Sequence, residues 1–136
     1  MTYLDMDGVL ADLVGAVIRH TGLPMPTYYG EWAKYDFDWV IPDEIILNME
    51  VGVGARELIA QYPDACILTA APLSSARLRW LSDNGIHLGI LSVVDKYVMC
   101  TPGDLLIDDC PENCRLWESR GGWAILWDQP WNRSVK

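Results

Sequence analysis

The N-terminal stretch MTYLDMDGVLADL places three aspartates within its first twelve residues: Asp5, Asp7 and Asp12. Asp5 and Asp7 follow directly after a predicted first strand, Thr2 to Leu4. Two carboxylates at the end of a buried strand carry a large cost in desolvation and repulsion unless they have partners. Asp12 falls at the start of the next predicted helix, where a negative charge suits the helix dipole. We therefore expect Asp5 and Asp7 to do chemistry and Asp12 to begin a helix.

The composition is that of a folded, acidic protein. The chain has 136 residues, of which 51% are hydrophobic and 21% are charged, enough for one domain with a substantial core. Its net charge of −9 argues against a stable complex with nucleic acid. We find no apolar run long enough to span a membrane and no signal peptide. The four cysteines lack a metal-binding spacing and are interpreted as reduced thiols, so we expect a cytoplasmic protein.

Short apolar runs alternate with helical patterns along most of the chain, which predicts βα units around a parallel sheet. Four strands are predicted after the first one, at residues 65–68, 88–93, 104–107 and 123–127. Helical spacing is found in residues 10–21, 74–84 and 111–120. The predicted fold class is therefore α/β, a Rossmann-like three-layer fold with a five-stranded parallel sheet. Trp123, Trp127 and Trp131 are expected to pack the last strand and the C-terminal tail.

Residues 23–62 interrupt this alternation. The segment is rich in proline and aromatic residues and holds two short predicted helices, at 43–49 and 55–61. It is too aromatic for a disordered linker and too short for an independent domain. We interpret it as a small helical cap inserted after the first βα unit, with residues 1–22 and 63–136 forming the core.

Polar residues follow four of the predicted strands at their carboxyl ends, which is where parallel α/β sheets bind ligands. They are Asp5 and Asp7, then Thr69, then Lys96, then the pair Asp108 and Asp109. Converging carboxylates require a hard cation, and ligands that are all oxygen favour Mg²⁺. Thr69 and Lys96 offer a hydroxyl and a positive charge to a phosphate, and Gly8 lets the backbone approach it. One carboxylate can attack phosphorus while a second moves protons.

These residues also resemble a known set of motifs. DMDGV at 5–9, Thr69, Lys96 and IDD at 107–109 resemble the four motifs of the haloacid-dehalogenase-like phosphatase superfamily. Within it, DMDGVLAD at 5–12, GDLLIDD at 103–109 and ILWDQPWNR at 125–133 are similar to the 5′(3′)-deoxyribonucleotidase family. The resemblance covers roughly residues 1–20 and 63–133 and leaves the cap poorly matched. It implies that the first strand is central in the sheet.

The resemblance implies a role for each matched residue. Asp5 would be the nucleophile and Asp7 the general acid and base. Mg²⁺ would be held by the Asp5 carboxylate, the Asp7 backbone carbonyl and one carboxylate of the pair Asp108 and Asp109, with the choice within the pair left open. Thr69 and Lys96 would bind the transferring phosphoryl group.

Other assignments around the site follow from sequence position. Ala70 follows Thr69 where the family commonly carries a serine nearby, and we include Ala70 in the phosphate-binding set, with Ser74 or Ser75 as alternative hydroxyls. Asp104 is rejected as a metal ligand because it lies at the amino end of its strand and so at the wrong end of the sheet. The cap aromatics are expected mostly in the core of the cap, and Trp32 is our choice for stacking on a nucleobase.

The predicted function is a Mg²⁺-dependent phosphoric monoester hydrolase that acts on nucleoside monophosphates, with deoxyribonucleotides preferred. Two alternatives stay open: a phosphatase for another small ester, such as a sugar phosphate or a nucleic-acid 3′-phosphate end, and a non-catalytic phosphate-binding protein. The expected partner is a small phosphate ester, with no membrane and no stable nucleic-acid complex. A homodimer is left open.

Overall fold

The computed structural model of the protein describes residues 1–31 and 41–133. Its strands are β1 Thr2–Leu4, β2 Ala11–Asp12, β3 Glu50–Val51, β4 Cys66–Thr69, β5 Gly89–Ser92, β6 Leu105–Asp108 and β7 Trp123–Leu126. Its α-helices are α1 Leu13–Thr21, α2 Asp43–Leu47, α3 Ala55–Gln61, α4 Ser75–Asp83 and α5 Pro111–Ser119. Two 3₁₀ turns, Lys96–Met99 and Pro130–Asn132, also bear on the site.

The main sheet has five parallel strands in the order β5-β4-β1-β6-β7. The predicted α/β class and five-stranded parallel sheet are therefore confirmed, and β1 is central as expected. The chain moves outward on one side of β1 through β4 and β5, then returns to the other side for β6 and β7. Ligands in such sheets bind where the strand order reverses, beyond the carboxyl ends of the strands. Here that point lies between β1 and β6, because the chain leaves β1 toward β4 and leaves β6 toward β7, on opposite sides.

Neighbouring residues within each central strand face opposite sides of the sheet, because side chains alternate along a strand. Leu4, Ile67 and Ile107 belong to a large hydrophobic cluster with residues of α1, α2, α3 and α4. Their neighbours Tyr3, Leu68 and Leu106 belong to a second cluster, which contains Trp117 of α5. The sheet therefore has helices on both faces, which makes three layers.

Local sequence explains where the helices begin. Asp12 caps α1 by accepting a hydrogen bond from the backbone of Gly15 at 2.8 Å, which confirms its predicted role as a helix-start residue. Ser74 caps α4 in the same way, accepting from the backbone of Arg77 at 3.2 Å. Pro111 occupies the first turn of α5, where its missing N–H costs nothing.

The described part of the predicted cap packs onto the core. Ile45 and Ile46 of α2 and Leu58 of α3 are buried in the same cluster as Leu4. The loop after β1 also pairs with this segment, because β2 and β3 form a two-stranded antiparallel sheet. The boundaries of a separate cap stay a prediction. No helix in the described ranges is long and apolar enough to span a bilayer.

Candidate active site

Three carboxylates meet at the carboxyl ends of the two central strands. Asp5 follows β1, Asp108 ends β6 and Asp109 comes next, and their side chains are buried, with 6%, 0% and 6% of each residue exposed. Each offers an oxygen atom, and these atoms lie within 4.8 Å of one another. We call Asp5, Asp108 and Asp109 the acidic trio. The parallel register produces it, because Leu4 of β1 pairs with Ile107 of β6, the residue before Asp108.

Lys96 supplies positive charge to the acidic trio. Its Nζ donates to Asp5 Oδ1 at 2.7 Å and to Asp108 Oδ2 at 2.8 Å, and the residue is 3% exposed. Lys96 belongs to the 3₁₀ turn that follows β5. In the sheet, β5 lies on the opposite side of β1 from β6, which carries Asp108. One lysine thus balances three buried acids, and the site keeps a deficit of positive charge.

The pKa values of the site follow from this crowding. Burial, followed by the charge of Asp108, raises the pKa of Asp5 well above its usual range, although Lys96 opposes the shift. Burial is also the largest cause that raises the pKa of Asp109 to about 6. Burial alone would lower the pKa of Lys96, but the carboxylates of Asp5 and Asp108 outweigh it and raise the pKa. The site therefore favours a further cation, whose charge would let the acids ionise.

The acidic trio fits a hard divalent cation. All of its donors are carboxylate oxygens, which is the ligand chemistry of Mg²⁺ and related ions. Asp108 is braced by the backbone N–H of Cys110 at 2.9 Å and by Asn113 Nδ2 at 3.2 Å. Such outer hydrogen bonds hold metal-binding carboxylates in place. Asp108 and Asp109 both remain candidates for direct coordination.

Asp7 does not join the acidic trio with its side chain. Its Oδ2 accepts a hydrogen bond from Nη2 of Arg77 on α4 at 2.8 Å. The sequence predicts that Asp7 binds the metal through its backbone carbonyl. The contact of its side chain with Arg77 does not test this, so it stays a prediction. The carboxylate itself faces a neighbouring cavity together with Arg77.

The remaining predicted residues fall in different environments. Gly8 has a φ of +92° and no room for a side chain, because a Cβ there would lie 2.2 Å from Asp109 Oδ2. Thr69 is 2% exposed, and its hydroxyl accepts a hydrogen bond from the Ala71 backbone at 3.1 Å. Ala70 is exposed next to it. Trp32 lies outside the described residues, so its assignment stays a prediction.

The C-terminal turn supports the loop after β1 and the acidic trio. Trp131 Nε1 donates to Asp109 Oδ2 at 2.7 Å, and Asn132 Nδ2 donates to the Asp109 carbonyl at 3.0 Å. Gln129 Nε2 donates to the carbonyl of Gly8 at 2.8 Å. Gln129 and Asn132 also cap the turn reciprocally. The segment QPWN is therefore part of the site's framework.

A cavity of about 760 Å³ opens beside the acidic trio. Asp7, Arg77 and Asp109 give it a polar end, whereas Leu13, Val17, Ile46 and other apolar residues line most of its wall. Tyr28 and Tyr29 line it too and are about half exposed. Burial and the nearby Cys110 and Asp109 raise the pKa of the Tyr29 hydroxyl, so it is a neutral donor at this edge.

Sequence reasoning missed Arg77 and the site contact of Trp131. Arg77 sits among ordinary helix residues, and its partner Asp7 is 70 positions away, so no local pattern marks it. Trp131 was expected only to pack the tail, and the motif WDQPWN was the available signal for more. Asp104 was placed correctly, since it binds Thr101 and the amino group of Met1 at the opposite end of the sheet.

No protein-family model matches the chain, and no curated protein matches it. The resemblance to the haloacid-dehalogenase-like phosphatases therefore stays a prediction that rests on the residues quoted above.

Proposed function

We propose that the protein is a Mg²⁺-dependent phosphatase that hydrolyses small phosphate monoesters, with nucleoside monophosphates as the first class to test. The observation that carries the proposal is the buried acidic trio around Lys96, at the strand ends where α/β sheets bind ligands. A purely structural cluster has no use for three buried carboxylates of which only two contact the one lysine.

Asp5 is the nucleophile in this proposal. Lys96 and the backbone N–H of Met6 both donate to its Oδ1, at 2.7 and 2.9 Å. They hold the carboxylate in one orientation, and we assign attack on phosphorus to Oδ2. As the new bond between Oδ2 and phosphorus forms, the ester bond breaks and Asp7 gives its proton to the leaving oxygen.

A water molecule then completes the reaction. Asp7 takes a proton from the water as its oxygen attacks phosphorus, and the bond between phosphorus and Asp5 breaks. Phosphate leaves, Asp5 is restored, and Asp7 again carries the proton that the next cycle needs. Lys96 balances negative charge throughout, and a bound Mg²⁺ would add Lewis-acid stabilisation of the phosphoryl oxygens.

The cavity supports an organic leaving group with an apolar face. Its volume of about 760 Å³ and its apolar wall suit a group of nucleoside size, and Tyr28 and Tyr29 offer aromatic surface at its edge. A sugar phosphate has no apolar face to place against the part of the wall formed by Leu13, Val17 and Ile46. The apolar lining therefore favours a nucleotide over a sugar phosphate.

Phosphate release from a panel of esters tests the proposal. The panel contains the deoxyribonucleoside and ribonucleoside monophosphates, sugar phosphates and a 3′-phosphorylated oligonucleotide, each with Mg²⁺ and with chelator. We expect phosphate release to require Mg²⁺. We expect its rate to fall by at least about 10³-fold in Asp5→Asn, because that change removes the nucleophile.

Asp83→Asn is the matched control, because it makes the same chemical change at an exposed carboxylate on α4. It should keep wild-type activity. Full Mg²⁺-dependent activity in Asp5→Asn would disprove the aspartyl-phosphate route. Binding of inorganic phosphate without turnover of any ester would instead support the non-catalytic alternative.

A further inference from the structure

The contact between Arg77 and Asp7 is half of a two-bond pair. A guanidinium presents Nε and Nη2 side by side, and a carboxylate presents two oxygens, so full pairing makes two parallel hydrogen bonds. Here Nη2 donates to Oδ2 at 2.8 Å. Arg77 Nε and Asp7 Oδ1 are both buried, and neither has a hydrogen-bond partner in the part of the chain that the structure describes.

These two atoms have opposite needs. Nε carries a hydrogen to donate and Oδ1 is an acceptor, and buried polar atoms of folded proteins nearly always find partners. One hydroxyl-type oxygen between them would satisfy both, because it accepts from Nε and donates to Oδ1. The half-made pair is therefore suited to an oxygen that exchanges a proton with Asp7.

Arg77 is buried at this position. It is 6% exposed, and its backbone N–H is bound by the Ser74 cap of α4. It lines the cavity with Asp7 and Asp109, and it is the one cationic residue among the described residues of the lining. Lys96 is already engaged by Asp5 and Asp108. Negative charge that develops on the cavity side of the acidic trio therefore meets Arg77.

We infer that Arg77 is a catalytic residue that binds the leaving oxygen through Nε while Asp7 transfers a proton to that oxygen. This inference rests on the proposed phosphatase function. When the bond between phosphorus and the leaving oxygen breaks, the oxygen gains negative charge, and a prepositioned N–H donor stabilises it. In the second step the attacking water takes the same position, where Arg77 Nε donates to its oxygen and Asp7 accepts its proton. The leaving oxygen needs this hydrogen bond and proton most when the leaving group is a weakly acidic alcohol.

The test compares leaving groups. kcat/KM is measured for alkyl phosphates, which leave poorly, and for p-nitrophenyl phosphate, which leaves without help from a proton. Arg77→Lys keeps the charge and a contact with Asp7 but lacks the fixed side-by-side donors Nε and Nη2, and Arg77→Met lacks the charge and every donor. We expect both variants to lose about 100-fold with alkyl esters and less than about 5-fold with p-nitrophenyl phosphate.

Arg79→Met is the matched control, because it removes an exposed arginine of the same helix that pairs with Asp83 at 3.5 Å. It should leave both rates unchanged. Thermal unfolding of each variant checks folding, and Arg77→Lys serves alone if Arg77→Met does not fold. Equal losses for all esters, or no loss, would overturn the inference while the phosphatase function stands. A wild-type protein that hydrolyses no ester would overturn both.

Discussion

Buried aspartates lie at both ends of the parallel sheet, and the two ends surround them differently. At the amino end, Asp104 accepts hydrogen bonds from the Thr101 backbone at 3.0 Å, from its hydroxyl at 2.7 Å and from the Met1 amino group at 3.0 Å. At the carboxyl end, Asp5 and Asp108 share the single ammonium of Lys96. Asp104 thus has three donors of its own, whereas the acidic trio has one cationic side chain, Lys96, for three carboxylates.

The pKa values express the same difference. Burial raises the pKa of Asp104, but the hydrogen bonds from Thr101 and the Met1 amino group outweigh it, and the net shift is downward. Burial raises the pKa of Asp109 to about 6 and also raises that of Asp5. A carboxylate with its own donors stabilises the fold. A buried group of carboxylates with too few donors is destabilising, and a bound cation would relieve that repulsion.

Removing the lysine should have the largest effect. Lys96→Met leaves Asp5 and Asp108 buried without their cation, so we expect a loss of about 3 to 5 kcal/mol in the free energy of unfolding, measured with urea in chelator. Arg115→Met breaks an exposed pair with Glu112 on α5 and should leave the free energy of unfolding nearly unchanged. Similar losses of unfolding free energy in the two variants would mean that Lys96 does not offset repulsion among the carboxylates of the acidic trio.

Adding Mg²⁺ should raise the free energy of unfolding only when the carboxylates at the carboxyl end of the sheet are intact. At a concentration 100 times its dissociation constant, a ligand that binds only the folded state adds about 2.7 kcal/mol to the free energy of unfolding. We expect this increase in the wild type and in Asp104→Ala, and its loss in the double variant Asp108→Asn, Asp109→Asn. An equal increase in the double variant would place the ion elsewhere.

The smallest effect is expected at the amino end and should depend on pH. Asp104→Ala loses charged hydrogen bonds, which we expect to cost about 1 to 2 kcal/mol at pH 6. Because the folded-state pKa of Asp104 lies below 3.8, this contribution is complete above pH 3.8 and disappears as pH falls through the folded-state value. Urea unfolding between pH 6 and pH 2.5 should show the two proteins converging. A constant difference would contradict the ionic role of Asp104.

The sequence by itself determined the five strands of the main sheet and which polar residues follow their carboxyl ends. Short apolar runs predicted the strands, and the polar residues after them were expected to lie at one edge of the sheet. Of these, Asp5, Lys96, Asp108 and Asp109 do meet there. Both inferences depend on short-range periodicity and on one general property of parallel sheets, that their carboxyl ends lie at one edge. The helix-start role of Asp12 was equally local.

Only the tertiary structure decided which partners these residues have. Asp7 pairs with Arg77 instead of joining the acidic trio, Trp131 binds Asp109, and Trp123, expected to pack the last strand, is 71% exposed on an edge strand. Each outcome depends on how helices and the C-terminal turn pack over distances of 22 to 70 residues in sequence. Side-chain direction across such distances is set by packing, and local sequence patterns carry no information about it.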